Sequence, residues 1–153
     1  MVASNKSLER AKSQCDSSNV KLTPKREAVL NALLVNQKAC SAYELIDYCR
    51  QEFDLNLSAM SIYRILEFLK QQQLVHKLEV TNKYVACAHI CCDHQHGTPQ
   101  FVICESCHRV EEVHISQEVI SALEENIKQT GYSLKSPQLE LIGLCEKCQS
   151  NEK

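Results

Sequence analysis

Two Cys-x-x-Cys pairs stand far apart in the chain, Cys104-Glu105-Ser106-Cys107 and Cys145-Glu146-Lys147-Cys148. Thiolates bind zinc tetrahedrally, and two intervening residues let a tight knuckle present both sulfurs to one ion. The stretch between the pairs has room for a strand, a helix and more strands, so one ion would tie the C-terminal tail back to the unit before it. A dithiol redox motif wants a β-α-β setting that is missing here. Iron–sulfur clusters usually take their four cysteines from other spacings. The chemistry read from these four residues is a structural zinc site.

A second set of donors is chemically different. His76, Cys87, His89, Cys91, Cys92, His94 and His96 fall within 21 residues and are followed by Glu111, Glu112 and His114. A lone histidine is ordinarily a satisfied polar or core residue, but seven potential ligands this close are a metal signal. Mixed nitrogen, sulfur and oxygen donors hold zinc less tightly than four thiolates and suit reversible occupancy.

The elements that must position these residues change character along the chain. Up to Gln73 the pattern is helical. Ser4 to about Ser18 is polar and weakly amphipathic, and Thr23-Pro24 opens a second helix as N-cap and first helical residue, with Val29, Leu30, Leu33 and Leu34 as its core face. Ser41-Ala42-Tyr43-Glu44 is a capping box for a third helix burying Ala42, Leu45, Ile46, Cys49 and Phe53. Ser58 caps a fourth, with Ile62, Ile65, Leu66 and Leu69 on one stripe. Two strands then follow, Leu74–Leu78 and Lys83–Cys87, joined by a turn near Thr81-Asn82. Helices followed by a two-stranded hairpin predict a winged helix-turn-helix, with His76 and Cys87 on opposite strands of the wing. Beyond it, strands at 101–104 and 109–115, a helix over 116–130 capped by Ser116 and ended by Gly131, and strands at 132–134 and 139–144 predict a second unit. The fold class is therefore α+β. The second unit is too small to bury much by itself and needs a metal, a partner or both.

With its stripe inward, the fourth helix turns Met60, Arg64 and Glu67 outward, with Ser61 and Tyr63 on the flanks. A major groove is read in this way. Arg64 can reach a guanine edge or a phosphate, and Met60 or Tyr63 can touch a thymine methyl or a sugar. Lys21, Lys25, Lys77 and Lys83 are expected as phosphate neighbours, while Glu67 is read as an ordinary exposed residue. Charge agrees in sign, because residues through Lys83 carry a formal +3 and the remainder −5. The N-terminus leads into no apolar signal segment and no run is long enough to span a bilayer. The expectation is thus a cytoplasmic protein with no membrane association, in which ten cysteines serve metal binding or redox chemistry rather than a disulfide framework.

Taken together, Leu22-Thr23-Pro24-Lys25-Arg26, Ser41-Ala42-Tyr43-Glu44-Leu45, Ser61-Ile62-Tyr63-Arg64-Ile65-Leu66-Glu67-Phe68-Leu69, His94-Gln95-His96 and the two Cys-x-x-Cys pairs resemble the ferric uptake regulator family, most closely its zinc uptake branch. The resemblance runs through nearly the whole chain in order. It implies a winged-helix DNA-binding domain over 1–84, a small α/β dimerisation domain over 85–153 with the structural zinc, and a regulatory metal at the hinge. On it, His76, Cys87, His96 and Glu112 match the regulatory zinc ligands, with His94 as a possible substitute for His96. Tyr43 and Arg26 join Met60, Ser61, Tyr63 and Arg64 as DNA contacts. Two departures stand out: an extra residue between His96 and Cys104, and His108 where the family commonly has glycine after the second knuckle cysteine. No counterpart is found for His89, Cys91 and Cys92, which read best as a solvated loop.

The implied function is a zinc-responsive repressor, a homodimer with two zinc ions per protomer. Its zinc-loaded form would bind a palindromic operator on double-stranded DNA and silence zinc-uptake genes. Alternatives within the family are sensors of iron, manganese or peroxide, against which the soft thiolate of Cys87 argues. Outside it stand a zinc hydrolase, with Glu111 as its one plausible base but no pocket-forming sequence, and a zinc store, which would explain the surplus cysteines but not the winged helix.

Overall fold

A computed structural model describes residues 2–36, 38–90, 97–136 and 138–151. The chain divides into two compact units, 1–93 and 94–153, each treated by itself below.

The first unit contains α1 (Val2–Ser17), α2 (Pro24–Asn36), α3 (Ala42–Phe53), α4 (Ala59–Gln71), β1 (Val75–Leu78) and β2 (Lys83–Ala86). Helix α3 starts where the sequence demands it. The Ser41 hydroxyl accepts from the Glu44 N–H at 3.2 Å, and the Ser41 N–H donates to the Glu44 carboxylate at 2.6 Å. It stops at Asp54, which takes the left-handed conformation (φ 49°) and returns its N–H to the Cys49 carbonyl. Helix α4 opens on Ser58, whose hydroxyl accepts from the Ser61 N–H. The facing stripes Val29, Leu30 and Leu33, Leu45 and Cys49, and Ile62, Leu66 and Leu69 form one core with Ala11 and Cys15 of α1. Each of the larger side chains contributes about 1.5–3 kcal/mol by leaving water. Leu74 and Val75 carry that core into the wing, where β1 and β2 pair antiparallel with His76 opposite Val85. The wing is also held from its other side, since Cys40 and Tyr84 exchange backbone hydrogen bonds of 2.9 and 2.8 Å.

The second unit contains β3 (Gln100–Cys104), β4 (Val110–Val113), α5 (Gln117–Gln129), β5 (Glu140–Gly143) and α6 (Glu146–Asn151). Its sheet has the order β4-β3-β5, antiparallel between β3 and β4 and parallel between β3 and β5. Phe101, Ile103, Cys104 and Ile120 are buried, and so is Gln100. The Gln100 amide donates to the Thr98 carbonyl at 3.2 Å and accepts from the Leu139 N–H. This core is small, as its length requires.

Several expectations need correction. Phe53 is 41% exposed, leaning edge-on against Tyr48 at the end of α3 rather than entering the core. No strand forms at Tyr132–Leu134, where all three residues lie exposed. Ser116 has N-cap geometry but makes no side-chain cap bond, and Val119 points outward while Ile120 is buried. The short helix α6 was not anticipated. Among the described residues, no helix is long and apolar enough to cross a membrane.

Candidate metal centres and nucleic-acid interface

The parallel pairing of β3 with β5 builds the four-cysteine site. It sets Cys104 beside Gly143, so the turn leaving β3 and the turn leaving β5 emerge at the same end of the sheet. Cys107 closes the first turn, and Cys145 and Cys148 bracket the start of α6, where the Cys148 N–H bonds the Cys145 carbonyl at 2.9 Å. All four sulfurs lie within 4.8 Å of one another, with Cys107 and Cys145 at 3.7 Å. Zinc–sulfur bonds of about 2.3 Å in a tetrahedron place sulfurs about 3.8 Å apart, so this edge already has the right length.

Electrostatics agree with metal binding. N–H groups of Cys107 and then Cys145 point at the Cys104 sulfur, and they pull its thiol down to about 6. The Cys145 thiol is likewise lowered, chiefly by the N–H of Cys148. Bonding from Ser106 favours a Cys148 thiolate, yet the neighbouring sulfurs of Cys145, Cys107 and Cys104 outweigh it and push that thiol up to about 12. Four thiols packed this closely do not all ionise without a cation among them, and zinc fits both the donor set and the spacing.

On the wing, side chains alternate between faces, so His76, its partner Val85 and the next-but-one Cys87 share a face. The Cys87 N–H donates to the Leu74 carbonyl at 2.9 Å, which extends the pairing one step past β2 and fixes the thiol diagonally across from the imidazole. Their ligand atoms lie within 4.8 Å of each other, and Cys87 is buried. An imidazole and a thiolate at this separation are two donors that one zinc ion can take up.

The exposed side chains of α3 and α4 are mixed in chemistry. Tyr43 and Met60 are each 65% exposed and Tyr63 is 44% exposed, beside an exposed Arg64. Ser61 is partly engaged, as its hydroxyl accepts from that of Ser58 at 2.9 Å. Large apolar groups standing in water next to an arginine, on the second helix of a helix-turn-helix, fit the edges and methyl groups of a major groove.

The profile of the ferric uptake regulator family matches residues 17–142. The chain belongs to that family. It is 36% identical to the zinc uptake regulation protein of Escherichia coli (strain K12) over 141 residues, covering 92% of this chain and 80% of the relative. A solved structure of a zinc uptake regulator complexed with zinc and DNA superimposes with a TM-score of 0.82 at 32% identity, over 97% of each chain. The crystal structure of holo XcZur gives a TM-score of 0.76 at 35% identity, over 94% of this chain and 96% of that one.

Among the residues that the family resemblance singled out, Glu112 sits on β4 opposite Phe101, half-buried. His94 and His96 lie outside the described residues, as do Cys91 and Cys92. His108, at the position commonly glycine in ferric uptake regulators, adopts the left-handed conformation (φ 58°) with its N–H on the Cys104 carbonyl at 2.9 Å. That backbone need explains the glycine, and the exposed histidine meets it at some steric cost. Arg26 is drawn inward, its guanidinium 3.5 Å above the Phe68 ring and bonded to the Lys21 carbonyl at 2.6 Å. Lys77 and Lys83 each carry an ion pair, with Glu79 at 3.2 Å and with Glu44 at 3.3 Å. The Lys83–Glu44 partnership spans 39 positions and has no local signature. Sequence reasoning saw Glu44 only as half of a capping box.

Proposed function

We infer that the protein is a zinc-responsive transcriptional repressor, a homodimer that binds palindromic operator DNA when zinc-loaded and silences zinc-uptake genes. The observation carrying this reading is that one unit holds both an exposed groove-reading face (Tyr43, Met60, Tyr63 and Arg64) and, on its wing, the zinc donors His76 and Cys87. The likeness to the zinc uptake regulation protein of Escherichia coli and to a zinc uptake regulator complexed with zinc and DNA supports it.

In this reading each protomer takes two zinc ions. Cys104, Cys107, Cys145 and Cys148 hold one permanently and keep the small second unit folded. His76 and Cys87 hold the other together with His96 and Glu112, His94 standing ready as a substitute. Ligands drawn from both units then restrict the angle between them, and the population shifts toward the conformation that fits DNA. The thiolate of Cys87 selects zinc over iron or manganese, which prefer harder donors. Arg64, Tyr63, Met60 and Ser61 of α4 meet base edges, with Tyr43 and Arg26 alongside. Dimerisation is supported by β5, which lies at the sheet edge with Leu141 and Ile142 47% and 55% exposed. An apolar edge strand of this kind is a template for pairing with a second copy. The repressor works in the cytoplasm, beside its operator, and no catalytic step is assigned to it.

A gel-shift titration tests the reading. Zinc should strengthen operator binding by the wild-type chain and do far less for Cys87→Ser. If zinc strengthens operator binding by Cys87→Ser as much as it does for the wild-type chain, the switch at the wing is wrong.

A further inference from the structure

Lys83 of the wing is already committed to a carboxylate, that of Glu44 beside the exposed Tyr43. Glu44 caps α3 through the Ser41 N–H at 2.6 Å, and the same carboxylate lies 3.3 Å from Lys83 Nζ. Exposed ion pairs are usually worth little, because two long side chains must be ordered to make them. Here much of that ordering is done beforehand. The paired backbone hydrogen bonds between Cys40 and Tyr84 fix the chain one residue from Ser41 and one residue from Lys83. The cap bond then fixes the carboxylate itself. The Glu44 carboxyl is held below its ordinary range, first by that backbone N–H, so it is charged at neutral pH. Its neighbour Tyr43 is among the most exposed side chains of this face. Elsewhere in the unit Lys70 is paired with Glu67 at 3.0 Å, so a lysine beside a carboxylate recurs on α4.

We propose that Glu44 is a positioning residue of the DNA-facing surface, holding Lys83 of the wing off the phosphate backbone and so limiting sequence-independent affinity for DNA. The proposal rests on the reading that this unit binds DNA. Phosphate contacts strengthen binding to every sequence alike, whereas base-edge contacts discriminate. Withholding one lysine lowers the affinity for all duplexes and leaves Arg64 and its neighbours a larger share of the binding.

The test is the salt dependence of binding to a mixed-sequence synthetic duplex, measured with zinc-loaded wild type, Glu44→Gln, Lys83→Gln and the double variant. Glutamine still accepts the Ser41 N–H in a capping box, so the helix start survives while the charge goes. Glu44→Gln should tighten binding and steepen the slope of log affinity against log salt by about 0.9, the increment for one more phosphate contact. Lys83→Gln alone should leave the slope unchanged, and the double variant should return to the wild-type slope. The proposal is overturned if Lys83→Gln flattens the wild-type slope, because Lys83 then already sits on a phosphate. It is equally overturned if Glu44→Gln leaves the slope alone, or if the double variant keeps the gain. If the zinc-loaded wild type binds no duplex at any salt concentration, the DNA-binding reading fails first and takes this proposal with it.

Discussion

Cys87 lies diagonally across the wing from His76, on the same face, with thiol and imidazole donors within 4.8 Å of each other. The two-residue period of the strands brings them together, and the hydrogen bond from the Cys87 N–H to the Leu74 carbonyl holds the register. A one-residue slip would turn Cys87 to the other face and separate the pair.

Removing the Cys87 thiolate should therefore weaken zinc at the wing specifically. Groups that merely support a metal ligand are worth about ten- to a hundredfold in affinity, and a ligand itself more. Cys87→Ser is predicted to lose more than about a hundredfold in chelator competition while the ion at the four cysteines stays bound. An unchanged affinity would remove Cys87 from the ligand set.

The four-cysteine site should behave as part of the fold. Structural zinc contributes on the order of 10 kcal/mol at neutral pH, and the buried core around Phe101 and Ile103 is too small to replace it. Cys148→Ser should melt the second unit and abolish dimerisation, while the helical signal of the first unit persists. Circular dichroism together with sedimentation would show both effects.

Arg64 is exposed on α4 and lies outside the buried core, so Arg64→Ala should leave thermal stability within about 0.5 kcal/mol of wild type. Operator affinity should fall by about 1–3 kcal/mol if Arg64 meets a guanine edge. Loss of affinity on all sequences alike, with a shallower salt slope, would reassign it to a phosphate.

Apart from Cys87, the buried thiols of the first unit, Cys15, Cys40 and Cys49, are packing residues. Cys49 is fully enclosed on α3, and desolvation pushes its thiol up to about 11. Above about pH 9 the unfolded chain loses this proton while the folded chain keeps it, so stability falls as pH rises from about 9 toward about 11. Alkylation at neutral pH should reach Cys49 only in denaturant. Labelling of the native protein at that residue would contradict its placement.

Much of this was legible in the sequence, for local reasons. Ser41 with Glu44 and Ser58 with its following stripe specify helix starts through bonds that span three residues. The knuckle spacing names its own metal. What escaped depends on where an element ends or on partners distant in sequence. Phe53 has the right period for α3 but lies at the last residue of that helix, just before Asp54 turns the chain, so it meets Tyr48 instead of the core. Tyr132–Leu134 has strand-like residues, yet the place beside β3 is taken by Glu140–Gly143. Helix α6 is short and polar, and it is organised around Cys145 and Cys148 rather than by an apolar stripe. The Glu44–Lys83 pair needed the bridge between Cys40 and Tyr84, which no periodicity announces.

Metal content per protomer, counted before and after mild chelation with operator affinity measured on the same samples, tests the zinc switch most directly. Two ions should be present at first and one should survive chelation, and DNA binding should vanish with the removable ion and return when zinc is restored. Undiminished DNA binding after that ion has left, or the loss of both ions together, would contradict it.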